Sequence, residues 1–151
     1  MATTIHLSQA MGKPLVDASV YRSTIVALQY ATLTRPDISF SVNKVCQFLN
    51  APADEHWQVV KQILRYLKET ISHGLLLNIN PTQHLVTYSD VDWAGCPDDK
   101  KSTKSFATFL GDSLISQSTR KQAIVARSST DSEYHAIANA TIELIWLSSL
   151  H

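Results

Sequence analysis

A chain of 151 residues with 44% hydrophobic and 17% charged side chains fits one ordinary domain or two small ones and can bury a core, which excludes wholesale disorder. Its formal net charge of zero gives no bulk attraction to polyanions, so nucleic-acid contact would rest on local basic patches. Two cysteines, Cys46 and Cys96, make no disulfide framework and fit a reducing compartment; Met1–His6 lacks the basic-then-apolar order of a secretory signal, and no apolar run approaches the roughly 20 residues that cross a bilayer.

Residues 1–16 lack periodicity, and Met11-Gly12-Lys13-Pro14 reads as an irregular arm. Asp17 or Ser19 is placed to cap a first helix. In that helix Tyr21, Ile25, Leu28, Gln29 and Thr32 lie at helical spacing, with Val26, Ala27 and Tyr30 widening the apolar side. Thr34-Arg35-Pro36-Asp37 breaks it, because a residue before proline is pushed out of the α region while proline suits a first helical turn. A second helix follows from about Asp37 to Leu49, burying Ile38, Val42, Val45 or Cys46, and Leu49; Cys46 reads as a small core residue. After Asn50-Ala51-Pro52-Ala53, Asp54 is the expected N-cap of a third helix, with Glu55 in its first turn. Trp57, Val60, Leu64 and Leu67 mark its inner face, and Lys61, Arg65 and Lys68 lie off that stripe as a solvated face. His73-Gly74 closes this helical half, dividing the chain into 1–72 and 73–151.

The period then changes from helix to strand. Leu75-Leu76-Leu77-Asn78-Ile79 and His84 to Tyr88 flank Asn80-Pro81-Thr82-Gln83 and read as a hairpin. The second arm runs into Ser89-Asp90-Val91-Asp92-Trp93-Ala94-Gly95. Val86, Tyr88 and Asp90 share one strand face, and Asp92 joins it if the strand persists. Two carboxylates held this close repel each other and favour a cation between them, and oxygen ligands suit Mg²⁺ or Mn²⁺ better than Zn²⁺. The plain alternative is a polar strand exit into a turn. Cys96 to Lys101 forms a charged loop, Phe106–Leu110 a strand, Gly111-Asp112 a turn, and Ser113–Ser116 the next strand. Ile124, Val125 and Ala126 belong to a third strand or its continuation.

The last predicted element is a helix from about Thr130 to Leu147, with Tyr134, Ile137, Ala138, Thr141, Leu144 and Ile145 on its apolar side. Thr130 and Glu133 match a capping box, so Glu133 either closes the cap or faces the Asp90 strand. Lys100, Lys101, Lys104, Arg120, Lys121 and Arg127 gather around the strand connections and predict modest, salt-sensitive phosphate contact or a set of solvated loop charges. Trp93 either stacks on a base or packs beneath the strand end. The six histidines show no metal-ligand spacing, and there is no C-x-x-C, phosphate-cradling loop or nucleophile elbow.

These segments together resemble one family. Leu33-Thr34-Arg35-Pro36-Asp37-Ile38-Ser39-Phe40, His56-Trp57 and Leu64-Arg65-Tyr66-Leu67-Lys68 are similar to the end of the reverse transcriptase region of copia-type retrotransposon Pol polyproteins. Ser89 to Gly95 resembles that family's S-D-A-D-W-A-G, Ser128 to Tyr134 its S-S-T-E-A-E-Y, and Ile142 to Leu147 its A-E-L-I-W-L. The resemblance runs in family order from about Leu15. It implies an α/β chain: an N-terminal helical segment (1–72) from the reverse transcriptase region, then a truncated RNase H-like fold (73–151) of antiparallel strands and a helix. It places the family's first catalytic aspartate on Asp90 and its catalytic glutamate on Glu133. In such enzymes carboxylates hold two Mg²⁺ (or Mn²⁺) ions that activate water to cut the RNA strand of an RNA–DNA hybrid. Asp92 is then a close neighbour of those ligands.

The departures shape the expectation. The family's third and fourth aspartates follow this helix, and no counterpart precedes His151, so the site is expected to be catalytically incomplete and the Asp90 strand to lie at a sheet edge. Asp131 stands where glutamate is usual, Val91 where alanine is, Gln117 where tryptophan is frequent, and Val26 where glycine is common. No Y-x-D-D polymerase motif is present. The alternative is a non-catalytic retroelement remnant that binds nucleic acid or protein. The implied partners are an RNA–DNA hybrid and the remaining polyprotein segments, with no membrane, in a cytoplasmic setting.

Overall fold

The computed structural model describes residues 7–8, 12–78 and 84–150. They form two compact units that divide between Leu75 and Leu76. The hairpin loop expected at Asn80–Gln83, the strand residue Ile79, the N-terminal Met1–His6 and Met11 of the arm lie outside the described residues. Among those described, four α-helices and one three-stranded antiparallel sheet make an α/β architecture. No helix there is long and apolar enough to cross a membrane.

The first unit is helical. Helix α1 (Ser19–Ala31) buries Tyr21, Ile25 and Leu28, as the spacing predicts. Val26 and Tyr30 are exposed, so its inner face is narrower than the apolar count suggests. The Asp17 carboxylate accepts from the Ser19 amide (2.8 Å), satisfying one orphan donor at the helix start. The helix expected over Asp37–Leu49 is shorter and split: Pro36–Ile38 is a 3₁₀ turn, and α2 runs from Ser39 to Cys46. Beyond it the Gln47, Phe48 and Leu49 amides bond back three residues rather than four, the tighter 3₁₀ pattern common at helix ends. Ile38, Val42 and Val45 are buried, and Tyr21 donates its hydroxyl to the Val45 carbonyl (2.8 Å), tying α1 to α2.

Helix α3 (Asp54–Glu69) starts one residue earlier than expected, with Ala53 in the cap position. The side chain that closes the cap is His56. Its Nδ1 accepts from the Ala53 amide (3.0 Å), its Nε2 meets the Ser8 carbonyl (3.2 Å), and its ring stacks on Phe48 with centroids 3.9 Å apart. One nitrogen accepting and the other facing a carbonyl fixes the neutral tautomer protonated at Nε2. The buried stripe is Val59, Val60 and Ile63, with Trp57 and Leu67 partly buried, while Leu64 is exposed. Arg35 fastens the far end of α3. It grips Asp37 with two hydrogen bonds (2.8 and 3.0 Å) and reaches the Thr70 carbonyl and hydroxyl (2.9 and 2.7 Å).

The second unit is a meander of β1 (Leu85–Asp92), β2 (Thr103–Leu110) and β3 (Ser113–Lys121). Its sheet order is β1-β2-β3, so β1 is an edge among the described strands. Gly111 supplies the positive φ of the two-residue β2–β3 turn. Leu75–Asn78 is not a strand. Asn78 is instead held through the Ser113 hydroxyl, which accepts from its amide (2.9 Å) and donates to its carbonyl (3.1 Å). Ile124–Ala126 also lie outside any strand, because β3 ends at Lys121. A bulge beside Thr108 and Phe109 shifts the β2–β3 register by one residue near the turn.

Helix α4 (Ser129–Ser149) packs on β1 and β2. Its buried residues are the small Ser132, Ala136 and Ala140, whereas Tyr134, Ile137 and Ile145 are exposed. The packed side is therefore not the large apolar stripe that the spacing predicts. Small residues let the helix approach a sheet face made of Thr87, Thr108 and Ser116. There the Thr87 and Thr108 hydroxyls meet at 2.9 Å, and Ser116 donates to Glu143 of α4 (2.7 Å). Gln122 and Ser132 fix the start of the helix through two buried hydrogen bonds.

Candidate carboxylate site and basic cluster

Strand alternation sets the geometry of the carboxylates. Asp90 pairs with Ser105 and Asp92 with Thr103, on the same sheet face as exposed Val86 and Tyr88. Strand β1 does persist to Asp92, so both carboxylates share this face, with Cα atoms about 6.6 Å apart from the strand rise. It is the face opposite to the one α4 covers, since Thr87, which touches Thr108 beneath the helix, alternates with Tyr88 and Val86. The Asp90 carboxylate is exposed and makes no hydrogen bond or ion pair among the described residues; only its backbone carbonyl is contacted, by the Ser105 hydroxyl at 3.5 Å.

Asp92 is packed differently. Its carboxylate lies against Gly95, so that a Cβ at position 95 would overlap all three carboxyl atoms. Between them Ala94 adopts a positive φ of 53° and donates its amide to the buried Ser102 hydroxyl (3.1 Å). Trp93 is 49% exposed and is not tucked beneath the strand end.

Glu133 sits at the start of the second turn of α4, exposed, with no hydrogen bond or ion pair among the described residues. The capping role that its spacing suggests belongs to other residues. Ser128 is the N-cap, and its hydroxyl accepts from the Asp131 amide (3.1 Å). Asp131 reaches back to the Arg127 amide (3.3 Å) and lies 3.7 Å from His135. The same Ser-x-x-acid spacing is present in the sequence two residues earlier, at Ser128 and Asp131. No hydrogen bond or ion pair joins Glu133 to Asp90. No group of three or more His, Cys, Asp or Glu side chains that could hold a metal ion forms among the described residues. The donor set is of the hard-oxygen type that suits Mg²⁺, but it does not assemble a closed site.

The basic cluster separates into two kinds. Lys121 bonds Asp99 (2.9 Å) and the Cys96 sulfur (3.0 Å), and Lys101 lies 3.9 Å from the same carboxylate. Burial alone would raise the Asp99 pKa, but hydrogen bonds from Lys121, Cys96 and the Lys101 amide outweigh it and hold the carboxyl at about 2. Lys101 and Lys121 are thus partly neutralised by Asp99 of the Asp98-Asp99-Lys100-Lys101 loop. Lys104 and Arg120 stand directly opposite one another across β2 and β3, on the face toward α4, with no acidic partner within ion-pair distance among the described residues. Lys100 is exposed with φ of 56°, and Arg127 is exposed at the entry to α4.

Comparison with known proteins adds the relatives. The chain is 45% identical over 150 residues to the "Retrovirus-related Pol polyprotein from transposon RE2" and 46% identical over 150 residues to that from transposon RE1, both of Arabidopsis thaliana. Each match takes in 99% of this chain and only 10% of the relative, so the chain spans about a tenth of those polyproteins. It is also 41% identical over 128 residues to "Secreted RxLR effector protein 161" of Plasmopara viticola, covering 84% of this chain and 90% of that protein. No family model matches, and no solved structure matches.

Proposed function

The chain belongs to the copia-type retrotransposon Pol polyproteins, and from that membership we propose that its second unit is the leading part of an RNase H-like ribonuclease domain that acts on the RNA strand of RNA–DNA hybrids. The observation that carries this reading is the order of three antiparallel strands and a helix, with Asp90 unpaired on β1 and Glu133 unpaired near the start of α4, in its second turn. A carboxylate committed to a cap or an ion pair is not free to take a ligand, and these two are free among the described residues. Their chemistry suits divalent-cation hydrolysis, in which bound cations supply the activated water and neutralise the leaving oxygen. The described carboxylates do not gather three ligands, so no two-metal step follows from this segment alone. The remaining oxygen ligands come, on this reading, from other segments of the polyprotein.

The test uses a labelled RNA–DNA hybrid with Mg²⁺ or Mn²⁺. The folded 151-residue chain cuts at background rate. In a longer Pol polyprotein that contains it, Asp90→Asn and Glu133→Gln each reduce cutting by about a hundredfold or more while circular dichroism is unchanged. Hybrid cleavage by the longer protein that survives both substitutions would overturn the reading.

A further inference from the structure

Lys104 and Arg120 pose a question that the carboxylates do not answer. They face each other in register across β2 and β3, and like charges directly opposite in a sheet are destabilising. They also project toward α4, into a cleft of about 290 Å³ walled by Lys104, Phe106, Arg120, Asn139, Ile142 and Glu143. A second cleft of about 190 Å³ shares Lys104 and Asn139 with it. Acids are at hand yet turned elsewhere: Glu143 accepts from the Ser116 hydroxyl, and Asp131 is engaged with His135 and the Arg127 amide. Among the described residues neither cation has an acidic partner within 4 Å.

We propose that the cleft between the β2–β3 face and α4 binds a phosphate ester, with Lys104 and Arg120 flanking the phosphate; the Asn139 Nδ2 donates one hydrogen to the His135 carbonyl (2.6 Å) and keeps its second for a phosphate oxygen. An anion seated between the two cations converts a repulsive cross-strand pair into two attractive ones, and charge-assisted bonds of this kind are short and strong. Phe106 and Ile142 give the same cleft an apolar wall against which a sugar or base can rest. The volume sits at the low end for ligand sites, which suits one nucleotide unit rather than a folded partner. Partial burial lowers the Lys104 pKa, with the Arg120 charge adding to the effect, as expected where a counter-ion is lacking. This site lies on the opposite sheet face from Asp90 and does not depend on the ribonuclease reading.

The experiment is equilibrium binding to the full chain of three probes: inorganic phosphate, adenosine 5′-monophosphate and a single-stranded oligothymidylate. Binding of at least one probe weakens about tenfold or more in Lys104→Gln and in Arg120→Gln, is retained in Lys104→Arg, weakens with added salt, and is unchanged in Asp90→Asn. The three probes separate a bare phosphate from a nucleotide and from a strand. Circular dichroism confirms that each variant is folded, and Arg120, being exposed, is the safer of the two in that respect. The proposal is overturned if the folded chain binds none of the three, or if both glutamine variants bind as tightly as the parent.

Discussion

Gly95 follows Asp92 for a steric reason. Its φ is not in the left-handed region; the constraint is that the Asp92 carboxylate fills the volume a Cβ would need. Because the overlapping atoms are the free end of the exposed Asp92 side chain, which can rotate aside, Gly95→Ala should cost only about 0.5–1 kcal/mol. Asp92→Ala introduced with it should recover most of that loss, and a double-mutant cycle on urea unfolding reads the coupling. Additive effects would mean that the two residues do not share this space. Asp99 gives a second residue-scale expectation. Its folded pKa of about 2 lies below the ordinary 3.8, so the folded state favours its charged form. The resulting stability is fully present above pH 4 and is lost as pH falls from about 4 to 2. The urea midpoint should drop over that window in the parent and drop less in Asp99→Asn, where the titrating group is gone.

At the scale of the element, the start of α4 separates two caps that sequence spacing could not distinguish. Ser128→Ala should cost about 1 kcal/mol, whereas Thr130→Ala should cost no more than about 0.5 kcal/mol, as for an ordinary surface position. Glu133→Gln should leave thermal stability unchanged. The reverse ranking of the two alanine variants would restore the Thr130–Glu133 box. The same helix explains where sequence reading succeeds and fails. Tyr21, Ile25 and Leu28 were legible in α1 because large apolar residues at helical spacing there do face the core. In α4 the small Ser132, Ala136 and Ala140 take the buried side, over a sheet face that presents the Thr87, Thr108 and Ser116 hydroxyls, and the large apolar residues lie outward. In α3, likewise, a histidine ring caps the helix through its own cap amide, a role that acidic-cap preferences do not anticipate.

Across the whole molecule, local pattern carried the three strands β1 to β3 and placed Asp90 on a strand and Glu133 on a helix, because alternation and helical spacing are local properties, but it also read Leu75–Asn78 and Ile124–Ala126 as strands, which they are not. What it could not carry were the pairings between distant residues: Arg35 with Thr70, Lys121 with Asp99, Ser113 with Asn78. Those pairings decide which charges remain available. Of the six cations assigned to nucleic acid, Lys101 and Lys121 share Asp99, leaving Lys100, Lys104, Arg120 and Arg127. At most about four phosphate contacts then give a slope of log K against log salt no steeper than about −3.6 on duplex DNA. Filter binding across a salt series checks it, and a steeper slope would mean that the Asp99 pairs open on binding.

The outward-facing side of α4 also governs how the chain behaves in bulk. Tyr134, Ile137, Ile145 and Trp146 are all more than half exposed on a molecule whose formal charge sums to zero. Neutral chains with uncovered oily ridges attract one another with little long-range repulsion to hold them apart. Solubility should accordingly pass through a minimum near neutral pH. Static light scattering should show that replacing Ile137 and Ile145 by serine raises that minimum, without the loss of folding that core truncation brings.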